Sequence, residues 1–154
     1  MKKIPAVYCD IDGVLNKPYK LEQGSDFDRF GETNENMVQV IKTLAKDFVI
    51  VFITGRWAMG HKSVEKHINE LLPDINCKIF CKPKNYPGIT AEYKVGMVKK
   101  LEKQGYEFYI GFDDHSVVVD LMYKHGLFIT QVMHDKNFLL VNGKKFNKIK
   151  SLKK

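Results

Sequence analysis

The sequence predicts an α/β fold, a doubly wound and mostly parallel five-stranded sheet, and three observations point to it. Apolar runs of strand length alternate with segments whose apolar residues recur at helical spacing. Residues 48–53 are apolar at every position, as expected for a central strand that helices cover on both faces. The first and fourth apolar runs stop at aspartates. Strands that alternate with helices favour a parallel sheet.

The five predicted strands are short and apolar, and they cover residues 4–9, 48–53, 77–81, 106–112 and 127–132. A long loop is expected at residues 13–33, which are rich in polar and turn-forming residues. Residues 138–146 carry Asn142-Gly143 at their centre. Because Asn-Gly suits a tight two-residue turn, this stretch predicts a C-terminal β-hairpin.

Four helices are predicted from apolar residues that recur every three or four positions. These are Met37, Val40, Ile41 and Leu44; Val64, Ile68, Leu71 and Leu72; Ala91, Val95, Val98 and Leu101; and Val117, Val118, Leu121 and Met122. Thr33 or Asn34 is expected to cap the first helix and Thr90 the third, because their side chains can accept from free N–H groups. Gly126 is expected to end the fourth helix.

Composition excludes several classes of protein. The chain has 154 residues, of which 44% are hydrophobic, and this predicts a single domain over residues 1–154 with a substantial core. Three cysteines are too few for a disulfide scaffold. No apolar run approaches the ~20 residues of a membrane helix, and the N-terminal run is too short for a signal peptide. We therefore expect a cytoplasmic protein with reduced thiols and no membrane contact.

The positive charge is concentrated at the C-terminus. The formal net charge is +7, and residues 144–154 contain six lysines and no acid, which leaves the first 143 residues nearly neutral. Such a basic tail can attract phosphate-rich partners such as nucleic acids. It is equally typical of a solvated terminus that aids solubility.

Polar residues follow the predicted strands at the edge where open α/β sheets bind ligands. The candidate site residues are Asp10 and Asp12 after the first strand, Thr54, Gly55 and Arg56 after the second, Lys94 in the first turn of the third helix, and Asp113 and Asp114 after the fourth strand. Since the carboxyl ends of parallel strands share one edge, we expect these residues to converge.

Their chemistry predicts a metal-assisted phosphate site. Several carboxylates in one place need compensating charge, and a hard cation with oxygen ligands such as Mg²⁺ supplies it. A lysine, an arginine and a hydroxyl beside that cation attract phosphate. One carboxylate can attack phosphorus to form an aspartyl-phosphate, while a neighbouring one protonates the leaving oxygen and then activates water.

The same residues resemble the signatures of the haloacid dehalogenase (HAD) superfamily of phosphatases. The run Asp-Ile-Asp-Gly-Val-Leu at residues 10–15 is similar to the first signature, and Thr54, Lys94 and the Asp113-Asp114 pair are similar to the second, third and fourth in order. The resemblance covers about residues 4–135. It implies a HAD-like Rossmannoid sheet with the strand order 5-4-1-2-3.

The resemblance also implies roles for these residues. Asp10 is expected to be the nucleophile and a Mg²⁺ ligand, and Asp12 the general acid/base, whose backbone carbonyl also contacts the metal. Thr54 is expected to bind the phosphoryl group, and Lys94 to neutralise it and hold Asp10. One of the two aspartates after the fourth strand completes the implied metal site, and both remain candidates for the direct ligand.

A finer resemblance concerns the substrate. Thr54-Gly55-Arg56 and residues 113–118 look like the 3′-phosphatase domain of bacteriophage polynucleotide kinase/phosphatases. It implies that Arg56 contacts the phosphate, that Thr54, Gly55, Arg56 and Lys94 bind substrate, and that the substrate is a 3′-phosphorylated nucleic acid end or a nucleotide. The sequence holds no Gly-x-x-x-x-Gly-Lys-Ser phosphate loop, so we expect no kinase half in this sequence, and a separate kinase or ligase is a candidate partner.

Two alternatives stay open at this point. Capless sugar-phosphate phosphatases of the KDO-8-phosphate type share the Asp-x-Asp-Gly-Val-Leu and Thr-Gly-Arg patterns. A non-catalytic domain that binds phosphorylated ends belongs to a different functional class. Residues 16–33 are too few for a folded cap domain, which predicts an open site that suits large substrates or closure by a partner subunit.

Overall fold

The computed structural model describes residues 3–18 and 28–133, and the backbone of residues 140–141 and 144–145. Strands and helices alternate in the order β1 Ile4–Cys9, α1 Glu35–Leu44, β2 Val49–Trp57, α2 His61–Leu71, β3 Cys77–Lys82, α3 Thr90–Lys103, β4 Tyr106–Asp113, α4 Ser116–His125 and β5 Ile129–Gln131. Two short strands follow, β6 Leu140–Val141 and β7 Lys144–Lys145. One turn of 3-10 helix, Ala58–Gly60, leads into α2.

The sheet has the predicted parallel core. Its order is β3-β2-β1-β4-β5-β6-β7, and β1 to β5 are all parallel, which confirms the α/β prediction and the order 5-4-1-2-3. β6 pairs antiparallel with both β5 and β7. The predicted hairpin therefore forms and lengthens the sheet. Its Asn142-Gly143 turn lies outside the described residues, as does the basic tail apart from the backbone of β7.

Alternation along the central strand β1 sends its side chains into two separate cores. Ala6 and Tyr8 pack with residues of α3 and α4 on one face, while Val7 and Cys9 pack with residues of α1 and α2 on the other. All four of these side chains have no exposed surface. Because helices cover both faces, β1 is apolar at consecutive positions and ends at the first charged residue.

Two local predictions differ from the structure. β2 continues past Ile53 to Trp57, because β3 still pairs with it after a bulge, so the Thr-Gly-Arg stretch lies in the strand and not beyond it. Thr90 is the first residue of α3 and not its cap, which is Ile89. The Ile89 N–H donates to Glu92 Oε2 (3.2 Å), while Thr90 Oγ1 accepts from Lys82 Nζ (2.9 Å).

The segment between β1 and α1 is short and irregular where the structure describes it. Residues 10–18 and 28–34 contain turns and isolated bridges but no helix or extended strand. Asn34 caps α1 by accepting from the Met37 N–H (3.4 Å), so it is Asn34 rather than Thr33 that fills this position. Within the described residues, no helix is both long and apolar enough to cross a bilayer.

Candidate active site

The Asp-x-Asp-Gly stretch forms a tight turn at the carboxyl end of the central strand. The Asp10 N–H donates to the Phe112 carbonyl (2.9 Å), which continues the pairing of β1 with β4. Gly13 has a φ of +82°, in the left-handed region that favours glycine, and its N–H donates to the Asn16 carbonyl (2.8 Å). The turn brings Asp10 and Asp12 to the wall of one cavity.

Lys94 lies between two buried carboxylates. Its Nζ is 2.7 Å from Asp10 Oδ2 and 2.8 Å from Asp113 Oδ2, and only 3% of its side chain is exposed. Burial opposes the charged lysine, but the two carboxylates raise the pKa of Lys94 above its usual value, so the amine stays protonated. Burial raises the pKa of Asp10 well above its usual value, with Lys94 acting against that rise and Asp113 adding to it. Lys94 is therefore the counter-ion that allows Asp10 to be charged in a buried position.

Asp113 is held by donors on both of its oxygens. Its Oδ1 accepts from the His115 backbone N–H (2.9 Å), and its Oδ2 accepts from Lys94 and from the Tyr8 hydroxyl. Gly111 makes room for the Tyr8 ring, since a Cβ at that position would lie 2.8 Å from Tyr8 Cδ1. Asp113 is fully buried, so its carboxylate holds the Lys94 ammonium group from the protein interior and not from the cavity.

Asp114 differs from its neighbour because it lines the cavity. Its backbone carbonyl accepts from the buried Gln131 side chain (2.8 Å), and its carboxylate lies where a Cβ on Gly13 would be. Oxygens of Asp10, Asp113 and Asp114 lie within 4.8 Å of one another. This oxygen-only donor set fits a hard divalent cation such as Mg²⁺.

Asp12 is clamped by Arg56. The Nε and Nη2 atoms of Arg56 donate to the two carboxylate oxygens of Asp12 at 2.6 and 2.8 Å, a bidentate geometry. Nη2 also donates to the Arg29 carbonyl (2.7 Å). The Arg56 side chain is 4% exposed and that of Asp12 is 30% exposed. Arg56 therefore orients the second aspartate of the turn in this structure.

A stack of rings supports the Arg56 guanidinium. Its Cζ lies 4.0 Å from the centroid of the Phe30 ring, which in turn stacks on His67 at 3.7 Å. His67 Nε2 lies 2.8 Å from Asn16 Oδ1, and Asn16 Nδ2 donates to the Gly31 carbonyl (2.8 Å), so His67 is the donor in this pair. Burial, and then the Arg56 charge, lower the pKa of His67, which favours its neutral form.

The Thr-Gly-Arg stretch lines the cavity from β2. Thr54 Oγ1 accepts from the Arg56 N–H (3.1 Å), and the buried hydroxyl keeps its own hydrogen for an acceptor in the cavity. A Cβ at Gly55 would lie 2.7 Å from the Thr90 methyl, so glycine lets the start of α3 approach β2 closely. This close packing places Lys94, one turn into α3, beside Asp10.

The cavity at this edge has a volume of about 600 Å³. All eight predicted site residues lie at this edge, and all of them except Asp113 line the cavity. Much of the remaining wall is formed by His115, Val117, Val118, Ile89 and Ala91. The cavity therefore has an ionic floor and partly apolar sides. The roles that the resemblance implies for these residues remain predictions, although their convergence is a feature of the structure.

Three contributors to the site carry no signal in the sequence. Tyr8, Phe30 and His67 reach the site residues across large separations in the chain, and Tyr8 meets Asp113 from 105 positions away. Tyr8 reads as an ordinary apolar-strand residue, and His67 lies among charged helix residues. Only a prediction of which strand packs against which helix would have identified these three residues as neighbours of the site.

Comparison with known proteins identifies similar folds but no family. No protein-family model matches the chain, and no curated protein matches it. Among solved structures, a chain of the Pnkp1/Rnl/Hen1 RNA repair complex has a TM-score of 0.73 at 19% identity, over 84% of this chain and 42% of that chain. A chain of a second Pnkp1/Rnl/Hen1 complex has a TM-score of 0.72 at 20% identity, over 83% and 45%. At such identities the likeness shows the shared α/β fold, and this chain spans less than half the length of either matched chain.

Proposed function

We propose that this protein is a HAD-type, metal-dependent phosphomonoesterase that removes phosphate, chiefly 3′-phosphate, from nucleic acid ends. The observation that carries the proposal is the pairing of two aspartates, two positions apart, with two different cations. Asp10 is held by Lys94 at 2.7 Å and Asp12 by Arg56 at 2.6 Å, and both carboxylates line one cavity. Two carboxylates in different surroundings suit a nucleophile and an acid/base.

The metal site belongs to the same edge. Asp10 and Asp114 line the cavity, and we propose them as side-chain ligands, with the Asp12 carbonyl as a further candidate. Asp113 is proposed as the positioning residue for Lys94, because it is fully buried and accepts from Tyr8, Lys94 and the His115 N–H. A bound Mg²⁺ supplies positive charge that neutralises phosphoryl oxygens during transfer.

The first half of the reaction transfers phosphate to Asp10. Lys94 holds Oδ2 of Asp10, which leaves Oδ1 to attack phosphorus. As the new O–P bond forms, the bond from phosphorus to the leaving oxygen breaks, and protonated Asp12 gives that oxygen its proton. Thr54 Oγ1 can donate to a phosphoryl oxygen, and Lys94 offsets the negative charge.

The second half returns the enzyme to its starting state. Asp12 takes a proton from water as the water oxygen attacks phosphorus, and the Asp10–phosphorus bond breaks to release inorganic phosphate. In the structure Asp12 accepts two hydrogen bonds from Arg56, the arrangement of a proton acceptor. We propose that the Arg56 guanidinium exchanges its hydrogen bonds to Asp12 for hydrogen bonds to the substrate phosphate, which releases Asp12 to act as the acid.

Three features support a nucleic acid substrate. One matched solved structure is of a Pnkp1/Rnl/Hen1 RNA repair complex, and the matched chain shares the fold found here. As far as the structure describes residues 10–18 and 28–34, they form no helix or extended strand, which suits a site for a polymer end. The lysine-rich tail adds charge that attracts polyphosphate. We propose that a kinase or ligase acts beside this protein on the same ends.

Phosphate release in the presence of Mg²⁺ tests this proposal. The substrates are a 3′-phosphorylated oligonucleotide, a 5′-phosphorylated one, free nucleotides and a sugar phosphate, with EDTA as the metal-free control. We expect preference for the 3′-end and a loss of about 10³-fold or more in kcat for Asp10→Asn. Asp47→Asn, at an exposed position, is the matched control and should behave as wild type. Preference for a sugar phosphate would refute the substrate, and turnover by Asp10→Asn would refute the mechanism.

A further inference from the structure

His67 stacks on the same ring that the Arg56 guanidinium contacts. The ring centroids of His67 and Phe30 are 3.7 Å apart with an interplanar angle of 9°, and Arg56 Cζ lies 4.0 Å from the Phe30 centroid. Two groups of this size cannot both lie so close to one face of a phenyl ring, because their atoms would overlap. Phe30 is therefore sandwiched between the imidazole on one face and the guanidinium on the other.

Asn16 fixes the orientation of the His67 ring. Asn16 is fully buried, and its Nδ2 donates to the Gly31 carbonyl (2.8 Å), so Oδ1 is the atom that accepts from His67 Nε2 (2.8 Å). Asn16 also closes the acidic turn after β1, because its backbone carbonyl accepts from the Gly13 N–H (2.8 Å). One histidine of α2 thus contacts both the end of the acidic turn and the ring that packs against Arg56.

The direction of the Arg56 guanidinium depends on how its plane is turned. Its Nε and Nη2 atoms both donate to Asp12, and the rigid, planar fork reaches both oxygens only when that plane is turned correctly. Contact with the flat Phe30 ring restricts the plane. Phe30 belongs to the irregular 28–34 segment, whereas His67 belongs to helix α2, so the helix supplies the firmer support for the stack.

We infer that His67 is a positioning residue for the proposed reaction, because its ring holds Phe30 against the guanidinium of Arg56. This contact keeps Arg56 directed at Asp12. The inference rests on the proposed function, in which Arg56 orients Asp12 and then binds the substrate phosphate. Without the imidazole, the Phe30 ring can move away, and the guanidinium loses the surface that restricts its plane. His67 does not line the cavity at the sheet edge, so it acts through Phe30 and Arg56 and not on the substrate.

Exchange of the Arg56 Nε–H proton with water reports this positioning without any turnover. The chain has two arginines, Arg29 and Arg56, so the signal that Arg56→Lys removes from a proton–nitrogen NMR spectrum is assigned to Arg56. The Arg56 side chain is 4% exposed and its Nε donates to Asp12 (2.6 Å), so the proton should exchange slowly in the wild-type protein. We expect His67→Gln, which keeps a donor for Asn16 but removes the ring, to speed this exchange by about tenfold or more.

Three further variants test the stack. His67→Phe keeps a flat ring and loses the donor, so its Arg56 proton should exchange within about threefold of the wild-type rate. Phe30→Leu removes the middle ring and should speed exchange as His67→Gln does. His125→Gln is the matched control and should behave as wild type, because His125 lies on α4, on the other face of the sheet, where it pairs with Glu102 at 2.7 Å. Urea unfolding checks that each variant is folded under the assay conditions.

Kinetics with Mg²⁺ tests whether the effect of His67 passes through Arg56. Steady-state rates on the preferred substrate of the phosphate-release assay are measured for His67→Gln, for Arg56→Lys and for the double variant. We expect His67→Gln to lower kcat/KM by about tenfold or more in the wild-type background and by less than about twofold in the Arg56→Lys background. The second effect is small because a residue that acts through Arg56 has nothing left to position there. His67→Phe should restore most of the loss.

The outcomes separate the two proposals. Faster Arg56 exchange in His67→Gln, in a protein whose wild type releases no phosphate from any substrate, supports the positioning of Arg56 by His67 and refutes the proposed catalysis. Unchanged exchange in both His67→Gln and Phe30→Leu overturns the inference and leaves the catalysis standing. An equal loss of kcat/KM from His67→Gln in the two backgrounds also overturns it, because the histidine would then support the fold in general and not Arg56.

Discussion

Replacement of Lys94 by methionine should destabilise the protein far more than the loss of an ordinary ion pair. Lys94 bridges Asp10 and Asp113 at 2.7 and 2.8 Å, and the three side chains are 3%, 7% and 0% exposed. Methionine keeps most of the apolar stem but leaves two buried carboxylates without their shared cation. Breaking a buried charge pair in this way costs about 3–5 kcal/mol, which we expect as the loss in the free energy of unfolding at pH 7 without metal.

The loss should depend on pH in a definite direction. Burial raises the pKa of Asp10 well above its usual value, and Lys94 is the main influence that opposes the rise. A carboxyl whose folded pKa is raised lowers stability as the pH rises from its unfolded pKa to its folded pKa. Without Lys94 the pKa of Asp10 rises further, so Lys94→Met should lose more stability relative to wild type at pH 7 than at pH 5.

Urea unfolding at both pH values, in EDTA and then in Mg²⁺, measures these effects. Lys66→Met is the matched control, because Lys66 forms an exposed pair with Glu70 at 3.9 Å and should change stability by about 0.5 kcal/mol or less. We expect Mg²⁺ to restore part of the loss in Lys94→Met, since a cation at the aspartate cluster replaces the missing charge. A loss below about 1 kcal/mol at pH 7, equal to that at pH 5, would refute the role of Lys94 as a buried counter-ion.

Three further predictions concern the cavity wall. Arg56→Lys should lower kcat by about 10²-fold and also raise KM, because lysine can neither hold both oxygens of Asp12 nor bind a phosphate through two parallel hydrogen bonds; an unchanged kcat, seen by steady-state kinetics, would contradict the role of Arg56 in orienting Asp12. Asp114→Asn should raise the Mg²⁺ concentration for half-maximal activity by about tenfold or more, and an unchanged metal titration would contradict its role as ligand. Gly13→Ala should lower the free energy of unfolding in urea by about 1–2 kcal/mol because of the positive φ at this position. It should also raise the Mg²⁺ concentration for half-maximal activity, because the added Cβ displaces Asp114. Gly105→Ala, at a φ of +97° with open space around it, should show the stability loss alone.

The strands and helices were predictable because their signals are local. The unbroken apolar run that opens β2 marks a strand buried on both faces, and the Asn-Gly pair marks the hairpin between β6 and β7. Boundaries were less predictable. β2 extends through the Thr-Gly-Arg stretch because β3 pairs with it as far as Lys82. Thr90 does not cap α3, and its hydroxyl oxygen accepts a hydrogen bond from Lys82 Nζ instead.

The convergence of the site residues was also predictable, since every parallel strand delivers its last residue to the same edge. The resemblance also implied that Lys94 holds Asp10, but the pairing of Arg56 with Asp12 was not predictable. Arg56 lies 44 positions from Asp12 along the chain, and its guanidinium packs against Phe30, which stacks on His67. The sequence by itself determined the α/β order, the acidic turn after β1 and the set of charged residues at the sheet edge. Only the tertiary structure decided that Arg56 holds Asp12 and that Lys94 is shared between Asp10 and Asp113, because these contacts depend on how segments far apart in the chain pack against one another.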